Sequence, residues 1–191
     1  KSFSLPNVRK VGNKFLAVNT KVNVVDMPEL EEIGDDFLRQ GTGLHVLSMP
    51  SLKNVGHYFL YNATSIPSVS LPNLEKAGDL FFFYCSKLEF INTPKLREIG
   101  ENALRQCVNL KSIDLPSLEI AGDMFMREHR NLESIYFPVL KTIGKEFMFA
   151  NREARVVNLP AAESIGHNFM PYNEKISKVN LPVVKHIGKK F

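Results

Sequence analysis

The 191-residue chain has no tryptophan and only two cysteines. Two thiols cannot staple a chain of this length, so a disulfide scaffold is excluded. No apolar run approaches the ~18 residues that a membrane span needs, which argues against membrane insertion of this segment. Charge of one sign is lacking as well: 24 Lys and Arg stand against 20 Asp and Glu, a net charge of +4. Charges so mixed give no basic stripe, and no nucleic acid partner is expected. Phosphate loops, dinucleotide fingerprints and nucleophile elbows are missing. The five histidines, His45, His57, His129, His167 and His186, follow no zinc-ligand spacing. The expectation is therefore no enzyme, no cofactor and no metal. A secretory n-region and h-region are also missing, and the chain opens at Lys1. It is read as a fragment of a longer array. With 44% apolar and 23% charged residues, it has the composition of a folded protein.

Proline and glycine number only 11 each, yet their placement is strict. Prolines fall at 6, 28, 50, 72, 94, 116, 138, 160 and 182, always 22 residues apart. A glycine follows each by six residues, from Gly12 to Gly188. Three residues beyond the glycine stands a phenylalanine in eight of nine copies, from Phe15 to Phe191, with Ala103 the exception. Apolar residues also recur three before and one before each proline, as in Val25, Met27 and Pro28. A period held without insertion or deletion identifies a repeat architecture.

One copy reads approximately L-x-x-I-x-L-P-x-L-x-x-I-G-x-x-F-L. The segment x-I-x-L-P alternates with period two, so it predicts a short strand with its apolar members inward. Proline cannot donate to a ladder and suits the strand's end. Glycine predicts either a positive φ or a close backbone approach. In four copies an acid follows it (Asp35, Asp79, Glu101, Asp123), which reads as the start of a short helical or 3-10 turn. No single coil buries its own apolar face, and stacking coils makes one continuous core. The predicted fold is a repeat solenoid of about nine 22-residue coils over 1–191. It carries one parallel β-sheet, with helical or 3-10 turns on the opposite side.

This grammar resembles the leucine-rich repeat. Leu110-Lys-Ser-Ile-Asp-Leu-Pro116 and Ile99-Gly-Glu-Asn-Ala-Leu-Arg-Gln-Cys107 are similar to the BspA-like repeats of bacterial surface proteins. Here the repeat is one residue shorter between Pro and Gly, and its Ala-Phe pair is mostly Phe-Leu, Phe-Met or Phe-Phe. The resemblance implies a secreted or cell-surface module that binds proteins or cells; a cytoplasmic setting is the alternative.

The outward strand positions are mostly small and polar. Phe90 and Tyr136 are the aromatic exceptions, two coils apart. Ser112 and Asp114 lie on the coil between them, with Asn92 and Asn158 at the margins. Aromatic anchors among near-neutral contacts are how protein interfaces concentrate energy, so these six residues form the candidate site. A protein ligand is the leading partner. A glycan is a second possibility, and a structural spacer in a larger protein a third. Tyr58, Tyr61, Phe83 and Tyr84 form another aromatic group, read either as a site or as packing between coils. Cys85 and Cys107 share one slot in adjacent coils, where a disulfide could span them, and are read as reduced. Lys185, His186, Lys189 and Lys190 form a basic group, read as a solvated face or truncation edge. Asn62-Ala63-Thr64 matches the glycosylation sequon.

Overall fold

The computed structural model describes residues 1–190. Phe191, the last phenylalanine of the column, lies outside the described residues. Equivalent residues of successive coils stack in register, so the chain is a parallel solenoid. Ser2 sits beside Val24, and Tyr136 beside Asn158.

Each coil was expected to supply one strand to one sheet. Two series form instead. Three-residue strands precede the prolines: Ser2–Ser4, Val24–Asp26, Val46–Ser48, Ser68–Ser70, Phe90–Asn92, Ser134–Tyr136, Val156–Asn158 and Lys178–Asn180. Two-residue strands precede the glycines, from Lys10–Val11 to His186–Ile187, and make one nine-stranded parallel sheet. The first series is divided into sheets of three, two and three strands. Its first break has a covalent cause. His45 N–H donates to Asn23 O at 2.8 Å, and Glu89 N–H to Pro67 O at 2.8 Å. Pro67, one coil after His45, has no N–H to give. At the second break residues 112–114 do not form the expected strand, and only a single bridge joins Asn92 to Asp114. The alternation itself holds: Val25, Val69, Ile91, Ile135 and Val157 are buried between exposed or half-buried neighbours.

Stacked coils turn each apolar position into a ladder. Phe37 and Phe59 stack at 5.4 Å, Phe59 and Phe81 at 5.6 Å, and Phe147 and Phe169 at 5.5 Å. Burying each such ring contributes about 2–3 kcal/mol before entropy is counted. Near the interruption at Ala103, Phe82 crosses Phe81 edge-on at 4.4 Å, and Leu104 is buried beside the alanine. Thr93 sits in an otherwise apolar column, buried, with its hydroxyl unpartnered.

The helical turns expected after the glycines are not formed; the described residues contain no helix. Alternate residues there have left-handed backbone, as at Asp36, Leu38 and Gln40 with φ of 60°, 47° and 59°. Their N–H groups therefore reach other coils. Asp36 donates to His57 O at 2.9 Å, Leu38 to Phe15 O at 3.2 Å and Gln40 to Tyr61 O at 2.7 Å. A right-handed helix would direct those bonds four residues back along its own turn. The acids after the glycines serve the stack as well. Asp35 accepts from His57 N–H at 2.8 Å and Asp79 from Glu101 N–H at 2.8 Å. Glycine itself has no positive φ among the described residues. Close approach is its reason: a Cβ on Gly122 would lie 2.6 Å from the Gly100 carbonyl carbon.

Candidate functional site

Phe90 opens its strand and Tyr136 closes its own, both pointing away from the core. They are 49% and 55% exposed. Ser112 and Asp114 are exposed on the coil between them. The stack thus brings the sequence-predicted residues onto one face, spread over four consecutive coils. That face straddles the second break in the sheet. Two of the residues are engaged elsewhere. Asn92 Nδ2 donates to Ser70 Oγ at 3.1 Å, toward the preceding coil. Asn158 Oδ1 accepts from Asn180 Nδ2 at 2.8 Å, toward the following one. Lys111 Nζ lies 5.4 Å from the Phe90 ring centroid while bonded to Glu89 at 2.5 Å. A cation over a ring face is attracted by its quadrupole.

The turn-side aromatics pack between coils. Tyr61 and Phe83 stack at 5.0 Å with planes 3° apart. The Arg39 guanidinium lies 4.8 Å from the Tyr58 ring and 5.4 Å from Tyr61, and Arg105 lies 5.6 Å from Phe83. Tyr84 stays 47% exposed. A second group, invisible to inspection of aromatics alone, places Arg127 3.9 Å over Phe149, with Tyr172 edge-on to Phe149 at 4.9 Å. Reading the column Arg39, Tyr61, Phe83, Arg105, Arg127 and Phe149 at the 22-residue period would have found both.

The slot of Cys85 and Cys107 is internal. Both thiols are free and buried, and each donates to a carbonyl 25 residues earlier, Leu60 O and Phe82 O, at 3.0 Å. Burial pushes the Cys85 thiol well above its ordinary value. The next three residues in the slot are His129, Asn151 and Asn173. Asn151 Nδ2 donates to Met126 O at 2.9 Å, and its Oδ1 accepts from His129 N–H at 2.7 Å. The His129 ring nitrogens face the Leu104 and Cys107 carbonyls but make no well-formed hydrogen bond. Burial pushes the His129 pKa down from 6.5 to about 4. His57 and His167 use Nδ1 to accept the backbone N–H of Asp79 and Lys189, at 3.1 and 2.8 Å. Within the basic group Lys185 is paired with Glu163 at 2.6 Å.

One column escaped the sequence reading altogether. Three residues after each proline stand Arg9, Glu31, Lys53, Glu75, Arg97, Glu119, Lys141, Glu163 and Lys185, alternating in sign without exception. Glu119 accepts from Arg97 at 2.6 Å and from Lys141 at 2.9 Å. Those two cations hold its carboxyl below the usual carboxylate range. Glu31 bonds Lys53 at 2.7 Å and is lowered likewise. Among the described residues no group of three His, Cys, Asp or Glu is placed to hold a metal, and no helix is long and apolar enough to cross a membrane.

Coils of one repeat length, a parallel sheet face and a ladder core define a leucine-rich-repeat solenoid. The family model of the BspA type leucine rich repeat region, in six copies, matches residues 1–107 and 75–191. The chain belongs to that family. It is similar to a leucine-rich repeat protein of T. pallidum, at 18% identity and a TM-score of 0.64, covering 93% of this chain and 78% of that one. A leucine-rich repeat protein of Bacteroides ovatus gives 17% identity and a TM-score of 0.58, covering 99% of this chain and 63% of that one. Identities this low speak to the fold alone. No curated protein matches the chain.

Proposed function

We propose that this chain is a non-catalytic binding module that engages a protein partner through its exposed sheet face. The contact residues are Phe90, Ser112, Asp114 and Tyr136, with Asn92 and Asn158 at the margins. The observation that carries the reading is the pair of half-exposed rings, Phe90 at 49% and Tyr136 at 55%, on a face whose other side chains are mostly small and polar. Rings of this kind supply large apolar area at low entropic cost, and few such anchors carry an interface. Membership of a family whose repeats commonly serve protein interaction supports the same reading, as it does a place at the cell surface or outside the cell.

The test is surface plasmon resonance of the immobilised chain against a panel of purified extracellular-matrix and cell-surface proteins. One partner binds the parent chain, and the double variant Phe90→Ala, Tyr136→Ala weakens it by tenfold or more, about 1.4 kcal/mol or above. Circular dichroism of the variant matches the parent, because both side chains lie outside the core. Undiminished binding by the folded variant removes the patch from the site.

A further inference from the structure

Many cations in this molecule are neutralised by the neighbouring coil. Arg9, Arg97, Lys53, Lys76, Lys111, Lys141, Lys145, Lys175 and Lys185 each face a carboxylate 22 residues away. Arg130 and Arg152 are among the cations not paired in this way. They hold the same repeat position in adjacent coils, where the earlier coils carry Thr20, Thr42, Thr64, Ser86 and Val108. Both are exposed. Among the described residues neither side chain has a hydrogen bond or ion pair. Two like-charged side chains at equivalent positions of adjacent coils repel each other, and an anion between them relieves the repulsion.

They also share a concavity. Arg130 and Arg152 line a groove of about 420 Å³ with Tyr84 and Phe149. Arg152 and Phe149 continue into a second groove of about 620 Å³ walled by Tyr172. Ala150 lines both, a small residue in the column where Glu128 and Tyr172 flank it. The nearby carboxylates are largely committed. Glu128 bonds Gln106 at 2.6 Å and Arg127 at 2.9 Å, and Glu153 bonds Lys175 at 2.7 Å. Glu174 lines the outer groove. Tyr172 is 72% exposed and offers a ring face.

No strand runs through this groove, and part of its backbone is committed between coils. Glu128, Met148 and Ala150 donate their N–H groups to Phe149, Phe169 and Pro171 of the following coil. An extended peptide, which gains affinity by adding a strand to an open edge, finds no such edge in this groove. The side chains offer planar guanidinium forks, which match carboxylates two bonds at a time, and an exposed ring. From this we infer that the groove between Arg130, Arg152, Phe149 and Tyr172 binds an acidic oligosaccharide. Uronate carboxylates take the two arginines, and a sugar ring lies on Tyr172. The site is on the turn side, separate from the sheet-face patch proposed above.

Calorimetric titration of the chain with tetragalacturonate at low salt tests this. Saturable binding is expected, with neutral maltotetraose giving none. The double variant Arg130→Gln, Arg152→Gln loses at least tenfold, and so does Tyr172→Ala. Lys21→Gln, an exposed and unpaired cation elsewhere, changes affinity by less than twofold. All four positions lie at the surface, and thermal melts confirm that the variants fold. Three results overturn the inference: no saturable uronate binding at millimolar ligand, undiminished binding by the arginine variant, or undiminished binding by Tyr172→Ala. A tetraglutamate peptide binding as tightly as the uronate also overturns it, by making the groove a site for acidic peptides.

Discussion

His129 shows what one position in a stack can demand. Its slot asks for a side chain that donates to the carbonyl 25 residues back, which Cys85, Cys107, Asn151 and Asn173 do. The imidazole fills the slot without making that bond. Buried and neutral, it has a pKa of about 4 in place of 6.5. The unfolded chain takes up a proton near 6.5, while the folded chain refuses it until about 4. Stability from this residue is therefore complete above pH 6.5 and is lost as the pH falls toward 4. Between pH 7 and 4.5 the loss amounts to about 2 kcal/mol. His129→Asn can repeat the Asn151 geometry and has nothing to titrate. Urea denaturation at both pH values should show the parent losing about 2 kcal/mol more than the variant. Equal losses would mean that the ring is not held neutral.

Within one coil, glycine and the left-handed residues divide the work in an unexpected way. Positive φ is the usual reason to place a glycine, yet here it falls on residues such as Leu38, Tyr84 and Gln106. Left-handed backbone costs an L-residue roughly 1–2 kcal/mol, and the bonds to neighbouring coils offset it. Glycine is reserved for the point where one coil's backbone presses on the last. Gly122→Ala would drive a methyl to 2.6 Å from the Gly100 carbonyl carbon, whereas Gly12 has nothing within 4 Å of its Cβ position. Gly122→Ala is expected to cost about 1–3 kcal/mol through overpacking. Gly12→Ala should be neutral, or stabilising by up to about 1 kcal/mol through the unfolded chain. Chemical denaturation of the two variants gives the comparison, and equal effects would refute the close-approach account.

Along the whole solenoid, the alternating column from Arg9 to Lys185 sets every charge but the first and last between two opposite ones. A slip of one coil would bring like charges together, so the column guards the register as well as adding attraction. Exposed pairs of this kind contribute little singly and are screened by salt. Glu119→Lys would place three cations in consecutive coils, with Arg97 and Lys141 on either side. Its melting temperature should fall below the parent's at low ionic strength, and the deficit should shrink at about 0.5 M salt, where the Debye length is only a few Å. A salt-independent deficit would assign the loss to packing. The same column, like the arginine and aromatic column on the turn side, becomes legible only when residues are read 22 apart and compared by chemistry.

The amino-acid order by itself determined the repeat, the inward faces, the parallel in-register stack and the outward placement of Phe90 and Tyr136. Nine copies of one spacing leave equivalent residues no neighbours but each other, and burial of the apolar positions does the rest. The break at Pro67 was not foreseen, although the missing N–H that causes it is a covalent fact of the sequence. Only the tertiary structure decided the turn. Its N–H and C=O groups had two sets of partners available, within the turn or in adjacent coils, and local sequence prefers the first. The adjacent coils prevailed because each already holds its carbonyls and N–H groups in place. The same holds for the unpaired Arg130 and Arg152. Which cation lacks a counter-charge depends on the whole set of neighbours that stacking brings together, not on any one segment of the chain.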